Sequence, residues 1–232
     1  MRSRAEHRFY SLAAIVAILV VFAGFARTFY LKQAFGTPPL TQLQLVHGLV
    51  MTSWFVLFIV QTQLVAAGRT DLHRRLGVFG ALLALAVLIL GPTVAVTAAR
   101  LGHAPSPGPP PLVFLAIPLS DMLVFAILVG SALWFRRRSD IHKRLMLLAT
   151  VGVLTAAIAR IPLPLIHDRG ILGFAGLTIL IVVSCAAYDT IRNKRLHPAF
   201  LWGGLLIIVM WPLRLWLAGT PQWMQFATWL VR

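Results

Sequence analysis

Seven apolar stretches dominate the sequence, each about 20 residues long and separated from the next by a short loop. A helix rises about 1.5 Å per residue, so about 20 apolar residues cross the hydrocarbon core of a bilayer. Within that core the backbone must bond to itself, which favours the α-helix. The sequence therefore predicts an all-α, polytopic transmembrane bundle of seven helices in a single domain, with spans at 10–31, 41–66, 73–99, 112–135, 142–165, 171–190 and 198–217.

The composition indicates that most of the protein surface faces an apolar solvent. Hydrophobic residues make up 59% of the 232 residues and charged residues only 12%, which is about half the charged fraction of a soluble domain. The net charge is +15, from 21 Lys and Arg against 6 Asp and Glu. Because the cations lie in short loops, they indicate a lipid bilayer with anionic headgroups as the partner, and no nucleic acid.

The distribution of cations among the loops predicts the orientation. Cation-rich segments alternate with poorer ones along the chain. The rich segments contain Arg2, Arg4 and Arg8, then Arg69, Arg74 and Arg75, then Arg136, Arg137, Arg138, Lys143 and Arg144, and finally Arg192, Lys194 and Arg195. Such loops stay on the cytoplasmic side of a membrane. We expect a cytoplasmic N-terminus, a C-terminus outside and a bacterial inner-membrane location, with 10–31 as an uncleaved first span.

An eight-residue motif occurs twice, each time at the start of an apolar stretch. Residues 69–76 (RTDLHRRL) match residues 138–145 (RSDIHKRL), sixty-nine positions later. The two copies start spans that run in the same sense, so they predict a parallel repeat of a helical hairpin. Asp71 and Asp140 are the expected N-cap residues, because a carboxylate accepts from the exposed N–H groups of a first helical turn.

A histidine follows each of these aspartates at the same predicted depth. His73 and His142 lie two residues after them, and His197 begins the last apolar stretch at a similar depth. Imidazoles grouped at one depth have the chemistry to bind a metal or the edge of a haem. The alternative is that each is an amphipathic residue suited to the membrane interface. The sequence alone predicts no complete set of metal ligands.

The first copy of the motif also resembles known families. Its string LHRRLG, residues 72–77, is similar to helix starts in the ferric-reductase-like and b-type cytochrome membrane families. Residues 44–80, with Trp54 and Gln61, resemble bacterial multi-spanning inner-membrane proteins of unknown function. In the cytochrome families, histidines on neighbouring helices ligate haem. The resemblance implies haem as a candidate cofactor, with candidate ligands His47, His167, His73 and His142.

Several polar side chains fall within the outer third of the predicted spans. His47 and Asp121 lie inside spans two and four, Arg160 and Arg214 lie near the outer ends of spans five and seven, and Gln44 is one turn from His47. An ionisable group in hydrocarbon costs about 2.5–3.5 kcal/mol, so such groups face each other or a wet cavity. We expect either an outward-facing polar pocket for a ligand or ion, or a buried salt bridge that orients the spans.

His167 follows a proline-containing segment at the outer end of span five. Pro162 and Pro164 interrupt the helix there. A chain that folds back at this point brings His167 towards His47 and supplies the two opposed imidazoles of a six-coordinate haem. The alternative is an ordinary solvated loop histidine.

The sequence contains no recognisable catalytic motif, which favours a function other than catalysis. We weigh three classes of function. The first is an integral membrane protein that binds a ligand in the outward-facing pocket or assists a membrane complex through a protein partner. The second is a haem-binding electron-transfer protein. The third is a small ion- or proton-coupled transporter that uses Asp121.

Overall fold

The computed structural model describes residues 2–104 and 108–232, excluding the side chains of residues 2–4, 165 and 167. These residues form helices and no strands, in agreement with the predicted all-α fold. In chain order the helices are α1 (Arg2–Phe25), a π-helical turn (Ala26–Tyr30), α2 (Gln42–Ala66), α3 (Thr70–Arg100), α4 (Pro111–Phe114), α5 (Ala116–Trp134), α6 (Ser139–Gly152), α7 (Thr155–Ile158), α8 (Pro164–His167), α9 (Ile171–Asn193), α10 (Pro198–Ala218) and α11 (Pro221–Leu230).

Seven helical segments of the described chain are long and apolar enough to cross a membrane, which confirms the predicted number of spans. They are Ala5–Tyr30, Gln42–Ala66, Thr70–Arg100, Pro111–Trp134, Ser139–Ile158, Ile171–Asn193 and Pro198–Ala218. Large apolar side chains project outwards along them; on α3 these include Val78, Leu82, Leu85 and Ile89. Such a surface is stable only in an apolar solvent, so the chain is a multi-pass membrane protein.

The duplicated motif begins the second helix of two successive hairpins. Helix α2 packs along α3, and α5 packs along α6. The hairpins meet where α3 lies against α5, and α10 covers α5 and α6. Phe125 and Leu128 are fully buried in the core at this junction. The Trp54 and Phe125 rings meet edge to face there, with their ring centres 4.9 Å apart. We call the end of the bundle that carries both motif copies the motif end, and the opposite end the far end.

The predicted N-cap role of Asp71 and Asp140 is wrong. The helices begin at Thr70 and Ser139, so each aspartate is the second helical residue, and the N-cap arginines make no side-chain cap bond. The carboxylates instead lie beside the arginines, with Arg69 3.7 Å from Asp71 and Arg138 4.0 Å from Asp140. An aspartate in the first turn still favours the helix, because its charge opposes the positive end of the helix dipole.

The fifth span is interrupted inside the membrane, whereas we expected one helix over 142–165. Helix α6 ends at Gly152, and the short helix α7 follows. The Thr155 hydroxyl donates to the carbonyl of Gly152 and lies 3.3 Å from the hydroxyl of Thr178 on α9. These bonds satisfy polar groups at the break, which lipid cannot do.

The break also allows helices α1 and α7 to approach backbone to backbone. A Cβ atom built on Gly24 would overlap the carbonyl group of Ala157. Small residues permit this kind of close helix contact in membranes. Because Gly24 has no side chain, the interrupted fifth span packs directly against the first span.

We predict that Gly24→Ala destabilises the bundle by about 1–3 kcal/mol, because backbone atoms have to move apart to admit the methyl group. Gly130→Ala is the matched control, since Gly130 also lies within a helix and no atom lies within 4 Å of its Cβ position. The measurement is thermal unfolding of the two purified variants in the same detergent. Equal stability of the two variants would show that the contact is not tight.

Candidate functional site

Asp121 and Arg214 form an ion pair inside the far end of the bundle. The Arg214 guanidinium, on α10, donates through NH1 to Oδ1 of Asp121, on α5, over 2.6 Å. Its Nε atom donates to the Met210 carbonyl over 3.2 Å, and its planar group lies 4.2 Å from the ring centre of Trp211. The Arg214 side chain is only 2% exposed. The pair is neutral overall and closed to lipid, so it joins α5 to α10.

A second buried ion pair, Arg144 with Asp189, lies at the motif end. Nε and NH2 of Arg144, on α6, donate to the two carboxylate oxygens of Asp189, on α9, over 3.1 and 2.6 Å. The NH1 atom donates to the backbone carbonyl of Asp140 over 2.6 Å. The two side chains are 5% and 6% exposed. This two-point geometry is the strongest form of arginine–carboxylate contact.

The sequence reasoning missed this second pair. It assigned Arg144 to the cations that set the orientation and did not single out Asp189. The available signal was an aspartate within the apolar stretch 171–190, because a carboxylate in a span requires a partner. The identity of the partner required the fold, since 45 residues separate the two along the chain.

Arg160 is not part of the Asp121 pair, although the sequence grouped the two as candidate pocket residues. Its NH1 atom donates to the Ala156 carbonyl over 2.7 Å, and its guanidinium lies 4.9 Å from the ring centre of Phe25, on α1. Among the described side chains, no carboxylate lies within 4.0 Å of Arg160. The two arginines that the sequence grouped thus differ, because Arg214 is neutralised by Asp121 whereas Arg160 is exposed and has no acidic partner among the described side chains.

His47 and Arg160 both lie beside the end of α1. The Phe29 ring covers Gly48, the residue after His47, and the Arg160 guanidinium lies 4.9 Å from the ring centre of Phe25. The Nδ1 atom of His47 is buried and bonds to no described group. A buried ring nitrogen without a partner costs roughly 1–3 kcal/mol. This unsatisfied atom makes the neighbourhood of His47 a candidate site for a hydrogen-bonding ligand.

The π-helical turn Ala26–Tyr30 borders His47. The Phe29 ring occupies the space above Gly48, where a Cβ would overlap it. The Tyr30 hydroxyl lies 2.8 Å from the Thr52 hydroxyl, which in turn donates to the Gly48 carbonyl over 2.7 Å. Single π-helical turns occur frequently at functional sites, and this one positions aromatic rings around the first turns of α2.

Gln44 has a structural role in a different place from the one expected. Its side-chain oxygen accepts from the Thr41 backbone N–H over 2.9 Å, and the Thr41 hydroxyl accepts from the Gln44 N–H over 3.3 Å. This reciprocal pair is a capping box that begins α2. The predicted five-residue pocket is therefore divided into a closed ion pair, a helix cap and the His47–Arg160 group.

The equivalent histidines of the two motif copies meet at the motif end. The ring centres of His73 and His142 are 6.3 Å apart, with an angle of 77° between the ring planes. Nδ1 of His142 lies 2.8 Å from the Ala132 carbonyl, to which it donates. Nδ1 of His73 is buried and has no described partner. The fold thus brings two of the candidate metal or haem ligands, His73 and His142, close together.

His197, the third histidine predicted at this depth, is used differently. Its Nδ1 atom accepts from the Ala199 N–H over 3.1 Å, which caps α10, and its Nε2 atom lies 3.4 Å from Asp140. Burial lowers the pKa of His197, and the Arg144 cation lowers this pKa further. A neutral imidazole suits both contacts, since Nδ1 must keep its lone pair to accept.

The candidate haem ligands His73 and His142 do not fit a haem in this fold. The side chain of His167 lies outside the described residues, so its pairing with His47 stays a prediction. His73 and His142 have fully buried neighbours in Ala132 and Leu145. A porphyrin placed between these two rings would have to separate the hairpins, so we derive no step through haem.

Comparisons with protein-family models, with curated proteins and with solved structures found no match to this chain. Function must therefore be inferred from the site geometry.

We predict that Asp121→Asn lowers the free energy of unfolding by on the order of 3 kcal/mol, because it leaves the Arg214 charge buried and uncompensated. The double variant Asp121→Leu with Arg214→Met should recover most of the loss, since no buried charge remains. The measurement is the folded fraction recovered after stepwise denaturation in detergent.

Asp71→Asn is the control for this experiment, because the Asp71–Arg69 pair has side chains 62% and 59% exposed. An exposed pair contributes at most about 1 kcal/mol. A loss as small for Asp121→Asn as for Asp71→Asn would contradict a structural role for the buried pair.

Proposed function

We propose that this protein is a non-catalytic binding protein of the bacterial inner membrane that holds an amphipathic anion at its far end. The observation that most strongly supports this proposal is the His47–Arg160 group. It combines a buried imidazole nitrogen that lacks a partner with a guanidinium that lacks a carboxylate within 4.0 Å among the described side chains. Both groups complement an anionic oxygen.

Further cations at the far end support an anionic ligand. Arg27 lies on the π-helical turn with its guanidinium 5.3 Å from the ring centre of Phe35, and Lys32 donates to the Thr37 carbonyl over 3.4 Å. Within the described part of the chain, neither cation has a carboxylate within 4.0 Å. Together with Arg160 they give this end an excess of positive charge, which attracts anions.

The apolar surroundings favour a ligand with a hydrocarbon portion. Leu45, Val46 and Leu49 project from the first turns of α2 beside His47 and are 46%, 47% and 53% exposed. A ligand that lies along this surface buries its apolar part in the same layer as the lipid chains. Its phosphate or carboxylate then reaches the guanidinium of Arg160, with which it forms charge-assisted hydrogen bonds.

The two other functions suggested by the sequence have less support. The carboxylate of Asp121 is held by Arg214 at 2.6 Å, which leaves no free carboxylate for ion or proton coupling at that position. The paired imidazoles at the motif end lack the space for a porphyrin. A binding function at the far end uses the polar groups that the fold leaves unsatisfied.

The cation-rich segments favour a cytoplasmic motif end, and in that orientation His47 and Arg160 would lie in the outer leaflet. A reporter fused after Arg232 is the test of this orientation. Alkaline phosphatase at that position should be active, and green fluorescent protein should be dark. The reverse pattern would place the ligand site in the inner leaflet and contradict the proposed orientation.

Arg160→Gln should weaken binding of the anion about tenfold or more, because a hydrogen bond to a charged group contributes about 1.5–3 kcal/mol. Native mass spectrometry of the purified protein measures retention of three probes, namely phosphatidylglycerol, oleate and phosphatidylcholine. Retention of phosphatidylglycerol alone assigns a phosphate headgroup, and retention of oleate assigns a free carboxylate.

Arg136→Gln is the matched control. Arg136 is also exposed and donates through NH1 to a backbone carbonyl, that of Leu133, over 3.2 Å, but it lies at the motif end. Equal retention of anions by the two variants would contradict the proposal, as would equal binding of phosphatidylcholine and the anionic probes to the unmodified protein.

A further inference from the structure

His73 and His142 bring the two motif copies together at the motif end. Each imidazole occupies the same position in its copy, four residues after the arginine that precedes the helix. The rings approach from different hairpins, with centres 6.3 Å apart and planes at 77°. The rings therefore meet edge to face, and the fold holds the two imidazoles near one another.

The ring separation matches two imidazoles that share one metal ion. A bond from a transition metal to an imidazole nitrogen is about 2 Å long. Two such bonds in line, together with the two ring radii, place the ring centres about 6 Å apart, which is the arrangement of a two-coordinate ion. The observed distance is 6.3 Å. One ion fits where a porphyrin does not, because it requires no separation of the hairpins.

Hydrogen bonding prepares His142 as a ligand. Its Nδ1 donates to the Ala132 carbonyl over 2.8 Å, which leaves the Nε2 lone pair available. A backbone carbonyl on the second nitrogen is the usual means of orienting a metal-binding histidine. The proton position follows from this bond, since a carbonyl oxygen only accepts.

Gln61, on α2, offers a further polar group at this end of the bundle. Its Nε2 atom is 4.0 Å from the Cβ position built on Gly77, which lies one helical turn after His73 on the same face of α3. Both the Gln61 side-chain oxygen and the His73 Nδ1 are buried without a described partner. Unsatisfied polar atoms in a membrane bundle favour a ligand, because lipid supplies no hydrogen bonds.

The number of available ligands selects the ion. In the described chain no set of three or more His, Cys, Asp or Glu side chains is arranged for a metal. The Asp189 and Glu6 carboxylates are paired with Arg144 and Lys143. Two neutral imidazoles suit an ion of low charge that accepts two ligands, whereas Zn(II) takes four. Imidazole binds copper well, and copper is monovalent in its reduced state.

We propose that His73 and His142 bind one Cu(I) ion between the two hairpins at the motif end, with the Gln61 amide oxygen as an additional neighbour. The site is independent of the proposed anion site, which lies at the far end. It ties the two halves of the duplicated structure together through a single shared ligand.

The test is anaerobic titration of the purified, metal-free protein with Cu(I) against a chromogenic chelator, followed by elemental analysis. We expect one copper per chain. His73→Asn and His142→Asn should each reduce affinity at least tenfold, and the asparagine amide at position 142 can still donate to the Ala132 carbonyl. His197→Ala should bind as the unmodified protein does, although its histidine lies at the same end of the bundle.

Undiminished copper binding by the folded asparagine variants would overturn the proposal, and so would equal loss in His197→Ala. X-ray absorption of the unmodified protein gives a measurement that needs no variant, with two imidazole nitrogens at about 2 Å from copper expected. A copper spectrum without imidazole scattering would also overturn it, as would preferential retention of Zn(II), or a haem Soret band that His73→Asn abolishes.

Discussion

Charged side chains inside this bundle have to find their counter-charges in protein, because hydrocarbon supplies neither water nor ions. Asp121–Arg214 and Arg144–Asp189 meet this requirement at opposite ends of the molecule. One pair joins α5 to α10, and the other joins α6 to α9. Helices α5 and α6 form one hairpin, so the two pairs attach the second hairpin to both of its later neighbours. The relative placement of these helices depends on charges that no lipid-facing surface could accommodate.

The same requirement identifies the groups that remain available for function. His47, His73 and Gln61 each bury a polar atom that no described residue satisfies, and Trp54 buries its indole N–H in the same way. His47, Trp54 and Gln61 are spaced seven residues apart on α2, so they lie on one face of that helix. This row of unsatisfied polar atoms runs along α2 from His47, at the far end, to Gln61, at the motif end.

The sequence predicted the helical architecture well because the relevant signal is local. A run of about 20 apolar residues identifies a membrane span from its own sequence alone, whereas ion pairs depend on how the helices pack against one another. The pairing of Asp121 with Arg214 was among the expected alternatives, but Arg160 was equally eligible until the break after Gly152 placed it beside Phe25. Arg144–Asp189 was missed because a motif arginine near a membrane surface is ordinarily explained by topology. The N-caps lie two residues earlier than expected, at Arg69 and Arg138 rather than at Asp71 and Asp140.

The two motif copies differ in a way that separates structure from function. Arg75 and Arg144 occupy equivalent positions, yet Arg75 is exposed and Arg144 is buried against Asp189. The later helix α9 supplies that carboxylate to the second copy. At the far end the copies also differ, because Thr52 bonds within its own helix at the position equivalent to Asp121, which forms an ion pair with another helix.

The histidines, by contrast, are the same in both copies and lie next to each other. Where two copies share one ligand, both must supply the same residue. Where each copy packs against different helices, its residues are free to differ. This pattern favours the motif end as the place where the duplication serves a chemical purpose.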